Sequence, residues 1–490
     1  MKKQIVIFYS LLFIVVLTIF SGCMVGPDYS RPETPAQTSD GYYNAAAHEQ
    51  DVNDFSEVDQ WWEQFGDPTT ASLVRETLEN NYSLKAAAAR VLQAQAALTE
   101  IHGLRLPDVS YNLSRDRSKR SFNFGGFAGG GRFTVMTTTW QQSISVAYIL
   151  DLFGKLKRSE QAAWAELLAT EANEQVLINS MVATVINARV NIAILQRRLA
   201  IARANTESQR KTLEIVERRY EQGLVGPVDI RLARENLAQL EVIEPVIELS
   251  LITAQNALDE LLARRPGSSD ELPQTLGDLP DLGPVPVGLP ASLLDRRPDI
   301  RAAEFMLRAS NERIGVSIAQ LYPDLTLTAG YGYSDDKFEN IFKYDGTEMY
   351  SAITSLIQPI FRGGQIRAQI DAAEARYAEL AANYAGTVLT AMREVEDALI
   401  TEQMLQTQLK HTRIQFREAS AAQDLSKQRY ERGVEGILTV LESERRRRIS
   451  EQEVIILKGR IWTNRVNLFL ALGGDWDYQE PSEEQVALNN

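Results

Sequence analysis

At 490 residues the chain is long enough for about two to four domains or one elongated one, and its 44% hydrophobic content permits a buried core and excludes wholesale disorder. Asp and Glu number 65 against 51 Lys and Arg, and the net charge of −14 argues against nucleic acid as a partner, because phosphate binding needs a basic surface. A single cysteine leaves neither an intrachain disulfide nor a cysteine-based zinc cluster, so stability has to come from packing.

The chain opens with Lys2 and Lys3 ahead of an apolar stretch, Ile5 to Phe20, which is the anatomy of a secretory signal peptide. As a helix that stretch spans roughly 24 Å, short of the ~30 Å hydrocarbon core, so a permanent anchor is the weaker reading. Ser21-Gly22 offers a cleavage site before Cys23, an arrangement that resembles a bacterial lipobox with Phe20 where Leu, Val or Ile is usual. The resemblance implies that Cys23 becomes the first mature residue and carries N-acyl and S-diacylglycerol lipid. Met24 rather than Asp behind it implies transport on to the outer membrane. Residues 1–22 are thus expected as signal peptide. Residues 23–60, rich in Pro, Gly, Ser, Asn and Asp, read as an acylated, extended tether. No later apolar run approaches the ~18 residues of a membrane helix, so any membrane span has to be built of strands.

Helical pattern starts near Trp61, and from there the chain repeats itself. ERRYEQGLVGPVDIRLARE (Glu217 to Glu235) matches KQRYERGVEGILTVLESE (Lys427 to Glu444), with Tyr220 and Tyr430, Gly223 and Gly433, and Gly226 and Gly436 all 210 residues apart. A tandem duplication follows: a first repeat at 61–264, a Pro/Gly-rich linker at 265–289, a second repeat at 290–472 and a tail at 473–490. Each repeat orders a helix, two strands, a very long helix, a glycine turn and a further long helix. No proline interrupts Gly154 to Gln222 or Gly363 to Arg432, which predicts two helices on the order of 100 Å each. Ile178, Met181, Val185, Ala188, Ile192, Leu195, Leu199 and Ala202 step by three and four, as do Tyr377, Ala381, Tyr384, Val388, Ala391, Val395 and Ala398. These are coiled-coil seams.

Between the helices the period changes to two. Trp140, Ile144, Val146, Tyr148 and Leu150 alternate with Gln141, Ser143, Ser145 and Ala147, and Leu325 to Tyr333 alternate with Thr326, Thr328, Gly330 and Gly332. An apolar face backed by a small, polar one suits a membrane barrel strand, with a half-buried soluble sheet as the competing reading. Val109 to Asn112 and Tyr350 to Ile357 supply weaker partners, after helix ends marked by Pro107 and Pro323. Four strands cannot close a barrel, and lipid does not tolerate an open sheet edge. The chain is therefore expected to oligomerise, and counting alone allows a dimer with eight strands or a trimer with twelve.

Four ordered motifs now carry a family resemblance over nearly the whole mature chain: CMVGPDYSRP from Cys23, WWEQFGDP from Trp61, LLDRRPDIRAAE from Leu293 and LGGDW from Leu472. The sequence resembles the TolC-type outer-membrane efflux proteins, specifically their OprM- and NodT-like lipoprotein branch. The resemblance implies a mostly α fold with a transmembrane β-barrel portion: a homotrimer whose twelve-stranded outer-membrane barrel continues into a twelve-helix periplasmic tunnel. It also implies a periplasmic adaptor, an inner-membrane transporter of RND type and outer-membrane lipid as partners. By the same resemblance, Tyr220, Gly223, Leu224 and Gly226 at one hairpin tip, and Tyr430, Gly433, Val434 and Gly436 at the other, contact the adaptor. Glycine also suits the tight reversal itself. Leu438, Glu442 and Arg445 match the family's periplasmic gate, and steps of four and three put them on one helix face, where ordinary solvated Glu–Arg pairing is the bland alternative.

Other signals carry little. GGFAGGGR (Gly125 to Arg132) lacks the Lys-Ser/Thr of a phosphate cradle and reads as an external hairpin loop, and the Arg445 to Arg448 run is ringed by glutamates. His48, His102 and His411 have no metal-ligand spacing, and no catalytic motif is found, so neither enzyme activity nor a cofactor beyond the Cys23 lipid is expected. The expected function is a passive outer-membrane conduit for small toxic compounds or drugs in a tripartite efflux system, gated at its periplasmic end. A type I protein-secretion duct and a non-channel coiled-coil spacer lipoprotein are the alternatives.

Overall fold

The computed structural model describes residues 24–39, 41–44, 61–123, 132–268, 272, 290–343 and 347–474. The signal segment, Cys23, most of the 265–289 linker, the glycine run from Gly125, and all of the tail beyond Gly474 lie outside the described residues. In chain order the main elements are α1 (Pro68–Asn80), α2 (Tyr82–Gly103), β1 (Asp108–Asn123), β2 (Arg132–Leu150), α3 (Lys155–Glu221) and α4 (Pro227–Leu261) from the first repeat. The second repeat gives α5 (Pro298–Ala319), β3 (Asp324–Asp335), β4 (Glu348–Ile357), α6 (Gln365–Glu431) and α7 (Ile437–Ala471). The duplication is kept to the residue: α3 and α6 are 67 residues each, α4 and α7 35 each. The chain divides into two compact units, and neither unit is one repeat, because each takes segments from both.

One unit holds Val91–Thr170, Ala303–Asn383 and the residues up to Pro32. Its centre is a four-stranded antiparallel sheet in the order β1-β2-β3-β4. Register places Tyr111, Ile144, Tyr331 and Tyr350 in one row across all four strands, with Val109, Val146, Ala329 and Ala352 in the next row on the same face. The opposite face carries Ser110, Ser145, Gly330 and Ser351 in a row. Among the described residues Tyr111, Ile144, Tyr331 and Tyr350 on the apolar face are exposed, Tyr350 to 85%. A soluble sheet would cover such a face, whereas lipid on one side and water on the other fit it directly. Among the described residues β1 and β4 each have a single neighbour, so both edges of the sheet are open. The two weaker strands are longer than expected, β1 above all, which runs through Ser114-Arg-Asp-Arg-Ser-Lys-Arg120.

The supposed tether is instead fastened. Val25 N–H donates to Phe153 O (3.2 Å), and the buried Arg158 donates to Gly26 O (3.2 Å), Pro27 O (3.1 Å) and Glu312 (2.8 Å). Gly26, at φ +105, lies so close to Gly315 that a Cβ would sit 2.6 Å from its Cα, so only glycine fits there. Arg31 grips the buried carboxylate of Glu304 at 3.1 and 2.8 Å.

The second unit comprises Glu33–Arg90, Glu171–Ala302 and the chain from Tyr384. The strap continues here, with Ala36 and Tyr42 buried and Glu396 accepting from the backbone N–H groups of Tyr43 (2.6 Å) and Asn44 (3.1 Å). The predicted seam of α3 packs, with Leu195, Leu199 and Ala202 meeting Ile247 of α4, and beyond the predicted seam of α6 Leu409 meets Leu457 and Ile461 of α7. Tyr384, Val388, Ala391 and Val395 are fully buried, whereas Tyr377 is only partly so. Asp67 caps α1 by accepting from Thr70 N–H (3.1 Å), with Pro68 pre-set for the first helical position. Trp61 stacks on Phe469 at 5.3 Å, and Phe65 meets Trp462 at 5.0 Å, so the WWEQF segment is a core plug of this unit.

Candidate functional site at the hairpin tips

Both glycine turns have one geometry. α3 ends with Gly223 at φ +71, Gly223 N–H bonding Tyr220 O (2.8 Å) and Leu224 N–H reaching back to Arg219 O (2.9 Å). α6 ends with Gly433 at φ +74, with Gly433 N–H on Tyr430 O (2.9 Å) and Val434 N–H on Arg429 O (3.0 Å). This pair of bonds is the Schellman closure, which needs a left-handed residue at the turn. Gly226 and Gly436 then adopt extended dihedrals and start α4 and α7. The turns leave Leu224 and Val434 projecting, 62% and 65% exposed.

Below the turns the two tips differ. Tyr220 is 43% exposed, but Tyr430 is only 4% exposed. Arg219 lays its guanidinium 4.6 Å from the Tyr430 ring centre and donates to the Tyr430 carbonyl. Tyr430 packs with Val216, Ala233, Ile437, Val440 and Leu441, a cluster drawn from all four tip helices. Expecting Tyr430 to face an adaptor is therefore incorrect for its side chain, which is core; burial also pushes its phenol pKa up.

The gate-matched residues lie on the outward face of α7. Leu438 is 64% exposed, one turn ahead of Glu442. Glu442 accepts from Arg445 Nε and Nη2, both at 2.8 Å, and from Arg446 Nε at 2.7 Å. Hydrogen bonds from Arg445 first, then Arg446, pull its carboxyl down to about 2. Arg446 was not foreseen; its position four residues after Glu442 was the available signal. On the inward face, Glu444 is buried, with Thr212 Oγ1 at 3.4 Å its only hydrogen-bond donor among the described residues. Desolvation pushes its carboxyl up, against the pull of Arg448, Lys427 and Arg447. Among the described residues no His, Cys, Asp or Glu side chains converge as a metal cluster.

The chain matches the family described as outer membrane efflux protein over residues 73–264 and 289–474. It is 31% identical over 469 residues to outer membrane protein OprJ of Pseudomonas aeruginosa, covering 95% of each chain. It is 30% identical over 466 residues to the toluene efflux pump outer membrane protein TtgF of Pseudomonas putida, covering 93% of this chain and 95% of that one. Among solved structures, the outer-membrane channel OprN superposes with a TM-score of 0.81 at 29% identity, covering 92% of this chain and 99% of that one. With the family match, the fold and similarity over most of its length in agreement, this chain belongs to the outer membrane efflux protein family.

Proposed function

We propose that three copies close their open sheets into one twelve-stranded barrel and form a passive conduit of a tripartite efflux system, exporting small toxic compounds across the outer membrane. The observation that carries this reading is the sheet: one uncovered apolar face, one small polar face and two unpaired edges. Edge-to-edge closure satisfies both edges at once, and lipid satisfies the face. Cys23 carries the acyl anchor in this scheme. Leu224 and Val434, presented by the turns at Gly223, Gly226, Gly433 and Gly436 with Tyr220 beside them, supply the apolar part of a periplasmic adaptor's docking surface, and an RND-type inner-membrane transporter supplies the energy. The test is purified full-length protein: a heat-modifiable trimer with ion conductance in planar bilayers is expected, and a non-conducting monomer would refute it.

Leu438, Glu442 and Arg445 form the gate at the periplasmic end. Three Glu442 carboxylates near one axis would repel, and their own arginines hold them ionised and in place. A lowered carboxylate pKa means that this pairing is complete above the ordinary value of 4.5 and is lost only as pH falls toward about 2. Mild acidification therefore leaves Glu442 charged. Replacing Glu442 and Arg445 by Ala should raise single-channel current, with the increase unchanged from neutral pH down to about pH 5; an unaltered current would remove the gate assignment.

A further inference from the structure

The upper part of the β1–β2 hairpin carries a run of cations on one face, against the chain's net charge of −14. β2 pairs with β3 only over Trp140 to Leu150, while its pairing with β1 continues on to Arg132 and Asn123, so the hairpin extends past the rest of the sheet. Trp140 to Leu150 rises about 25 Å at a 45° tilt, which matches the height of an outer-membrane apolar band. The end away from the helices is the external one, since Pro107 and Lys155 join the other end to α2 and α3.

Following the apolar face of β1 upward gives Val109, Tyr111 and Leu113, then Arg115, Arg117 and Lys119, every second residue and all on that same face. The change falls at the level of Trp140, whose ring lies 5.1 Å from the Arg115 guanidinium and 4.9 Å from Phe338. Aromatics of this kind mark a membrane–water interface. Among the described residues the acid sharing a row with these cations is Asp335, across β2, with Glu348 one row below, and the Asp335 carboxylate already accepts from Lys337 N–H (2.9 Å) and Asn340 (3.0 Å). Asp116 belongs to the other face, opposite Thr139. Arg115, Arg117 and Lys119 form no ion pair among the described residues, and all three are exposed. A cation on a lipid-facing wall is costly at the bilayer midplane and nearly free at the headgroup level, where anionic groups attract it.

We infer that Arg115, Arg117 and Lys119 form a docking ladder for the phosphate groups of phosphorylated lipid in the external leaflet. The ladder rises about 14 Å along the strand, enough to follow one headgroup from the interface outward. Arginine suits this, as its planar fork meets phosphate oxygens in pairs. The inference rests on the barrel reading, and the two are separable by experiment.

The test titrates full-length protein in neutral detergent with bisphosphorylated lipid A and counts bound lipid by native mass spectrometry. The Arg115→Gln/Arg117→Gln/Lys119→Gln variant is expected to bind at least about tenfold more weakly. Arg120→Gln, which removes a cation from the opposite face, is expected to bind as wild type, and dephosphorylated lipid A should bind wild type as poorly as the triple variant binds the phosphorylated form. Equal binding by the triple variant overturns the ladder, as does equal loss in Arg120→Gln. Equal binding of dephosphorylated lipid overturns the phosphate contact, and full competition by inorganic phosphate overturns the lipid as ligand. Heat-modifiability and conductance are measured on the same samples: a triple variant that keeps both has folded, and a wild-type chain that lacks both defeats the barrel reading whatever lipid it binds.

Discussion

Around Gly223 the last tyrosine of α3 stands half in solvent, whereas around Gly433 its counterpart on α6 lies under the guanidinium of Arg219. The two turns share φ values, closing hydrogen bonds and extended caps, so duplication has preserved the backbone and released the side chains. The difference extends along the following helices. At the positions of Glu442 and Arg445 on α7, α4 carries Leu232 and Glu235, and beside them Arg234 makes an exposed pair with Glu217 at 2.7 Å. The second hairpin supplies both the buried tyrosine of the tip core and the exposed Glu442 charge cluster, whereas the first leaves its tyrosine half in solvent. A repeated fold thus supplies two equal supports on which unequal surfaces can be placed.

The comparison breaks most readily at the tyrosines. Tyr430→Ala should cost about 3 kcal/mol of local stability, read as faster hydrogen exchange in the last turns of α6, while Tyr220→Ala should change exchange by no more than about 0.5 kcal/mol. Similar effects at both sites would mean that the tips are equivalent after all. The glycines test the shared part: Gly223→Ala and Gly433→Ala should each cost about 1–2 kcal/mol by forcing an L-residue to positive φ, and should cost the same. Glu444→Gln should stabilise α7 at neutral pH. Its sign follows from the raised carboxyl: the buried acid favours its protonated form, so its folded-state contribution is present at low pH and fades as pH rises through the raised pKa. The advantage of Gln should therefore shrink on acidification, and a pH-independent effect would contradict it. Smallest is Arg234→Ala, an exposed pair whose loss should cost about 0.5 kcal/mol or less.

Periodicity made the long elements legible. Proline-free runs stopped one residue past the C-terminal ends of α3 and α6, and the three-four steps named the packed seam of α3. Alternation found β2 and β3, but the polar run from Ser114 to Arg120 hid the upper half of β1, because a strand outside the apolar band needs no alternation at all. The strap from Met24 to Tyr42 read as loose since its composition is that of a loop, while its contacts come from residues such as Glu304 and Gly315, hundreds of positions away. Tyr430 failed for the opposite reason: its motif equals that of Tyr220, and only the partner Arg219 on the other repeat separates them. The Glu442–Arg445 pair was legible from helical spacing, and the buried neighbour Glu444 was not.

The grip of Glu304 on Tyr29 and Arg31, across 275 and 273 residues, also orders events in time. Synthesis runs from the N-terminus, so the strap is made early and must wait for the second repeat before Gly26 has Gly315 to lie against. Closing so long a loop by chance is entropically slow and grows only gently with length. An N-terminus already held at a membrane would shorten that search. A chain truncated before Glu304 lacks the partner of Tyr29 and Arg31, so its strap is expected to be cut by protease where that of the full chain is not.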